Sequence, residues 1–251
     1  MIMILSAGRN QFHALSILVA MAWAFAPTSG VDAAEVNWSD VSLSALHGDH
    51  YQLSDNELTI FTIEWGADYS FGDHFFFIDN KYDEEHDYSA YAELLVRGSV
   101  NKNTSWNIQA GWLIDLLVAV RIEHAHPLGE DNQAYGIGTD WRVPGFRYFK
   151  VNAFTRRNDM VDDNSMLNLV WGVPFSIGGQ SFLYDGFFDW VSGVSGQYAT
   201  SFNLTSQLKW KVTEVRSQPL YVGVEYVYWN NKYGVRDVNE RNMNALIKLH
   251  F

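Results

Sequence analysis

The chain has no cysteine, which excludes disulfide staples, zinc–thiolate sites and thiol catalysis. It also lacks an excess of basic charge. Lys and Arg number 17 against 29 Asp and Glu, a formal net charge of −12, which argues against nonspecific nucleic-acid binding through a basic patch. Beyond the N-terminal run, no stretch is long and apolar enough to span a bilayer as a helix, which takes about 20 residues. No glycine-rich phosphate loop precedes a helix, so a nucleotide-hydrolysis signature is missing. A membrane chain with these absences must cross as strands, and in lipid strands satisfy all their backbone groups only when the sheet closes.

What is abundant is aromatic. Phe, Trp and Tyr make up 16% of the residues, with 10 Trp, 13 Tyr and 16 Phe. Girdles of such side chains at the two water–lipid boundaries of a barrel are one physical reason for that load. The N-terminus carries an export pattern: Arg9 and His13 precede a mostly apolar run from Ala14 to Ala26, Pro27-Thr28-Ser29-Gly30 follows, and Val31-Asp32-Ala33 has cleavage-site spacing. Residues 1–34 are therefore expected to be a signal peptide cleaved after Ala33 or Ala34. The remainder, 35–251, is expected to be one domain, with 35–55 lying outside its barrel.

Beyond residue 55 the hydrophobic period is two. Phe202, Leu204, Leu208, Trp210 and Val212 alternate with Asn203, Thr205, Gln207, Lys209 and Lys211. Leu220, Val222, Val224, Tyr226 and Tyr228 form a second apolar face, and Leu167, Leu169, Trp171, Val173 and Phe175 a third. Side chains alternate between the faces of a strand, so each segment has one greasy and one polar side. About twelve such strands are predicted, an even number joined by polar turns as in a transmembrane barrel. They centre on Thr62, Phe77, Leu94, Gln109, Val120, Gly138, Val151, Val170, Gly186, Ser206, Glu225 and Ile247. The fold class expected is all-β, a transmembrane antiparallel β-barrel.

In such a barrel the apolar face meets lipid and the polar face lines the interior. That parity places in the lumen Phe75, Phe77 and Asp79, Arg97, Gln109, Asp115, Arg121, Gly136, Gly138 and Asp140, Arg142, Asp185, Phe187 and Asp189, Lys209, Lys211, Glu225 and Lys248. The candidate channel-lining, substrate-binding set is Phe75, Phe77, Asp79, Arg121, Asp140, Phe187, Asp189 and Glu225. Both charge signs and several rings occur together. A flat, partly polar solute can stack on a ring while its hydroxyls bond carboxylates and amides. Several of these positions also have a purely structural reading. Gly136 and Gly138 can relieve barrel curvature, Asp185 and Asp189 can pair with lumen cations, and Phe75 and Phe77 can pack on a plug.

Catalysis finds no constellation. His124 and His126 lie near Glu123, but no third metal ligand and no oriented nucleophile accompany them. No enzyme activity, metal or cofactor is expected. The acidic run Asp83–Asp87 reads as a solvated loop, with calcium as an alternative.

Tyr135-Gly136-Ile137-Gly138-Thr139-Asp140 and Gly186-Phe187-Phe188-Asp189-Trp190 resemble motifs of the Tsx-like nucleoside-specific channel-forming proteins. Ala67-Asp68-Tyr69 and Phe75-Phe76-Phe77-Ile78-Asp79 are similar to that family's early strand pair. The resemblance implies a monomeric barrel of twelve strands in the Gram-negative outer membrane. Its narrow channel would pass nucleosides or similar small solutes by diffusion, and related branches serve as phage receptors. A receptor or structural barrel that binds phage or surface partners through its loops is the alternative function. The half-apolar strand Met243–Phe251 ends on an aromatic residue and resembles the terminal strand read by the barrel assembly machinery. Deleting Phe251 is expected to lower the folded outer-membrane fraction severalfold, read from heat-dependent gel migration of isolated membranes; an unchanged fraction would refute that role.

Overall fold

The computed structural model describes residues 34–54, 56–83 and 87–251. The predicted signal peptide falls almost wholly outside these residues, as does the middle of the acidic run. Twelve antiparallel strands form a closed barrel. In chain order they are β1 (Val36–Asp49), β2 (Glu57–Tyr69), β3 (Gly72–Tyr82), β4 (Tyr88–Ser99), β5 (Leu113–His126), β6 (Glu130–Trp141), β7 (Tyr148–Asn158), β8 (Asn164–Ile177), β9 (Gln180–Val191), β10 (Ser201–Val215), β11 (Gln218–Asn230) and β12 (Glu240–His250). Each pairs with its sequence neighbours, and β1 closes the ring against β12 with Ser42 opposite His250 and Gly48 opposite Asn244.

Two expectations are corrected. Residues 35–55 were predicted to lie outside the barrel, yet 36–49 form β1, with a register running to β2 as well as β12. Here Ser42, Ser44 and Leu46 are buried toward the lumen and Val41 and Leu43 are exposed. Val41, Ser42, Leu43 and Ser44 alternate, but the inward apolar Leu46 and the outward His47 break the rhythm of this strand. Conversely, no strand forms around Gln109. A short helix, α1 (Val100–Asn103), is capped by the Ser99 side chain. The Asn101 side chain then bonds the backbone of Ile108 and Ile114, folding the segment back as a loop. Asp115 is drawn into the same cap, accepting from Ser99 at 2.5 Å. The missed strand and the surplus one cancel in the total.

Consecutive connections alternate between the two ends. One end carries tight turns. Gly178-Gly179 and Arg216-Ser217 are two-residue hairpins with both residues at positive φ, the backbone twist that suits a two-residue hairpin. The same end also carries the longest connection, 100–112, whereas the other end carries 192–200 and 231–239, which fold inward.

Burial is inverted relative to a soluble protein. The largest fully buried side chains are polar: Arg97, Lys209, Glu240, Asn152 and Asn244. Large apolar side chains face outward, among them Val118 at 62% exposure, Ile137 at 56% and Met243 at 58%. Outward rings gather near the ends. Phe61, Tyr82 and Tyr88 form a chain of contacts at the loop end, and Trp171–Tyr184 and Phe175–Phe182 lie toward the turn end. An outer surface of this kind is stable against lipid rather than water. Val118→Arg is expected to destabilise the barrel in lipid vesicles by about 2–4 kcal/mol, measured by urea unfolding. A change below about 0.5 kcal/mol, the usual range for a benign surface substitution, would contradict a lipid-facing β5.

Candidate functional site

The lumen holds a cavity of about 2340 Å³ lined by residues from both ends of the barrel. All eight candidate residues line it: Phe75, Phe77 and Asp79 on β3, Arg121 on β5, Asp140 on β6, Phe187 and Asp189 on β9, and Glu225 on β11. They do not form one group. The period of two brings them to the same side of the sheet, and the barrel then divides them between two walls.

The wall from β3 to β9 is cross-linked by charge. Lys150 donates to Asp73 at 2.8 Å, and Arg97 bonds both Asp73 oxygens. Arg97 also donates to Asp140 at 2.8 Å and to Asn152 at 3.3 Å. Asn152 passes the chain to Asn168 at 2.8 Å, and Asn168 to Asp189 at 2.6 Å. Arg121 then joins Asp189 at 3.1 Å, Glu93 at 2.5 Å and Glu123 at 2.9 Å. Arg156 extends the network to Glu123 at 3.0 Å and Glu130 at 3.4 Å. An isolated charge in such a place would cost several kcal/mol, and pairing offsets that cost. Arg121, Asp140 and Asp189 are therefore committed to protein partners. Gly138, read as possible room for a solute, makes room instead for the network: an added Cβ would meet Asn152 Oδ1 at 2.6 Å and Arg97 at 3.4 Å. Gly136 is required by close strand approach, because its Cβ would meet the Ala153 carbonyl oxygen at 1.8 Å.

The wall from β10 around to β4 is different. Lys209 is paired with Asp185 at 2.7 Å, and Lys248 with Glu64. Glu225, however, accepts only from neutral amides, Gln207 at 2.8 Å and Asn244 at 3.1 Å. Asp79 accepts from the Thr62 hydroxyl at 2.7 Å, with Lys81 no nearer than 3.9 Å. Beside these carboxylates runs a row of rings, Phe75 to Phe77 at 6.2 Å and Phe77 to Tyr91 at 5.8 Å. Phe187 faces the lumen between Asp185 and Asp189, while Lys211 turns out of it to Glu214 at 2.6 Å.

Two inward loops narrow the loop-side mouth. Tyr198 packs on an apolar lumen patch that includes Leu95, Phe154 and Met166. The loops clasp each other through Ala199 N–H to the Gly234 carbonyl and the Asn231 amide to the Thr200 carbonyl, both at 2.8 Å. Gly234 sits so close to the Tyr198 ring that a Cβ would lie 2.2 Å from it. Sequence reasoning missed Arg156, although it lies in phase with Lys150 and Asn152 on β7. It also missed Tyr198, Lys232 and Tyr233, for which loop sequence carries no periodic signal. His124 and His126 do not converge: His124 bonds Asp131 at 2.5 Å and His126 packs on the Tyr88 ring.

No protein-family model matches the sequence, and no curated protein is similar to it in sequence. Three solved structures of porin-type outer-membrane proteins superpose on it to different degrees. The "KdgM porin" superposes with a TM-score of 0.51 at 8% identity, covering 84% of this chain and 99% of that one. The "KdgM porin in complex with disordered oligogalacturonate" gives 0.49 at 8% identity, covering 84% and 98%. The outer membrane protein Omp33 of Acinetobacter baumannii gives 0.36 at 12% identity, covering 86% and 98%. The first of these superpositions supports a shared barrel fold and says nothing about solute.

Arg121 carries the most consequential pairing, since its loss leaves Glu93 and Asp189 without a cation and Glu123 with Arg156 alone. Arg121→Met is expected to cost about 3–5 kcal/mol in urea unfolding. Adding Glu93→Gln and Asp189→Asn should recover part of that loss, and an additive further loss would refute the network.

Proposed function

We propose that the chain is an outer-membrane channel for passive, selective diffusion of nucleosides or similar small solutes that combine a flat ring with hydroxyl groups. One observation carries this reading: the Phe75–Phe77–Tyr91 row runs beside Asp79 and Glu225, two carboxylates held by hydroxyl, amide and a distant ammonium. A ring sliding along that row stays in apolar contact while its hydroxyls exchange water for carboxylate oxygens. Several weak steps of this kind allow both capture and release. The concentration gradient drives movement, and no chemical step is required.

The mixed charge of the lumen disfavours a wide pore for one class of ion. On the opposite wall nearly every charge is neutralised by a partner, so that wall shapes the slot more than it attracts solute. The inward loops limit size at one mouth. The shared barrel fold supports an outer-membrane location in a Gram-negative bacterium, and insertion through recognition of the Phe251 strand belongs to the same reading. Phage binding, if it occurs, would fall to the outer loops.

Planar-bilayer recordings test both levels. Ionic current through the purified barrel should fall in the presence of adenosine and be unaffected by a sugar of equal size. Phe77→Ala should weaken the adenosine effect about tenfold, because stacking on an aromatic side chain contributes about 1–3 kcal/mol per base. Glu225→Gln should weaken it as well. Current without any adenosine effect would remove nucleoside selectivity and leave a channel; absence of current from a folded barrel would remove the channel.

A further inference from the structure

We propose that the loop-side mouth contains a binding site for an organic cation of the quaternary ammonium class, which Lys232 of the chain itself occupies in this structure. Lys232 lies in a 3-10 turn, Lys232–Gly234, between β11 and β12. Its ammonium sits 5.1 Å from the centre of the Trp229 ring, 5.6 Å from that of Tyr233 and 5.8 Å from that of Tyr51. The Glu240 carboxylate is 2.5 Å away and also accepts from the Gln52 backbone N–H at 2.8 Å. Three rings and a carboxylate around one cation form the arrangement that recognises alkylammonium groups, through attraction to the ring faces and direct charge pairing.

Lys232 behaves as a tethered guest in this cage. Trp229 and Glu240 stand on strand ends and Tyr51 on the β1–β2 connection, whereas Lys232 is carried by the connection itself. That connection holds a backbone L side chains rarely adopt, with positive φ at Asn231, Tyr233 and Asp237. Only the Lys232 side chain has to give way to a guest, because Tyr233 is part of the cage and the Ala199–Gly234 clasp holds the turn in place. The charge of the cage also does not end with Glu240. Asp79, Glu225 and Glu240 are within electrostatic reach of Lys81, so acidic groups continue from the cage toward the aromatic row.

The chemical class follows from the cost of hydration. Burial, reinforced by repulsion from Lys81, pushes the Lys232 pKa down to about 8 despite the attraction of Glu240. A primary ammonium surrenders three strong hydrogen bonds to water when it enters such a place. A quaternary ammonium has no N–H to desolvate and no proton to lose, so the same rings and carboxylate favour it more.

This inference rests on the channel reading only for its effect on passage, and binding is measured apart from conduction. The barrel folded in maltoside micelles is titrated calorimetrically with choline chloride and, separately, with 3,3-dimethylbutan-1-ol, its neutral isostere. Lys232→Ala and Lys232→Gln are expected to bind choline about tenfold more tightly than the unaltered chain, since an internal competitor worth roughly one cation–ring contact set has been removed. Adding Glu240→Gln to Lys232→Ala should reverse that gain, and the neutral alcohol should not bind. Equal choline affinity with and without Lys232, or equal binding of choline and the alcohol, overturns the site. Should both Lys232 variants fail to fold, the unaltered barrel decides: choline binding without alcohol binding supports the cage, and any other result refutes it. Bilayer current from the same samples judges the channel separately. Choline binding without current would end the channel reading and leave the cage standing.

Discussion

The structure depends on one act of closure, the pairing of β1 with β12. Each strand of an open sheet of this composition would present its outward apolar face to water and leave two edges of unpaired backbone groups. Ring closure removes both edges at once and allows the apolar face to meet lipid. It also joins residues about 200 positions apart, Ser42 with His250 and Gly48 with Asn244. The grouping of Asp79 on β3 with Glu225 on β11 presupposes that join, because β2, β1 and β12 connect the two strands only in the closed ring.

Closure also creates a difficulty that the side chains answer. The interior is small for the charges it must hold, so most are tied to partners. On the β3–β9 wall the partners form a continuous web from Lys150 to Glu130. On the other wall, Glu225 is held by amides alone and Asp79 by a hydroxyl with Lys81 at a distance. The two walls thus have different work. One stiffens the barrel at the cost of its own availability, and the other offers unneutralised oxygen atoms beside a row of rings.

The longer loops give the barrel a direction. At the turn end two-residue hairpins stand beside the long 100–112 connection, and Arg142, Phe146 and Arg147 of the β6–β7 connection line the lumen, while the loop end folds Tyr198 and Lys232 inward. Three rings and a carboxylate surround Lys232 at that end, and the Phe75–Phe77–Tyr91 row lies beside further carboxylates within the barrel. The same two chemistries, aromatic faces and acidic oxygens, recur along the passage.

Much of this was legible along the chain, for a physical reason. Strand side chains alternate, so a period of two names the lipid and lumen faces from local sequence alone; it placed Phe75, Phe77, Asp79, Arg121, Asp140, Phe187, Asp189 and Glu225 on the cavity side. It failed where local pattern and local structure part company. The inward Leu46 and outward His47 broke the alternation of β1, and hydrogen bonds from Asn101 turned the Gln109 segment into a loop. What no local pattern could supply was partnership. That Asp140 is spent on Arg97, that Gly138 accommodates a guanidinium rather than a solute, and that Lys232 sits in a cage with Tyr51 all follow from curvature bringing distant strands together. The amino-acid sequence by itself determined which side chains face inward, because parity is a property of the extended backbone. Which of them remain free to meet a solute was decided only by the closed barrel, because ion pairing depends on distances that closure sets.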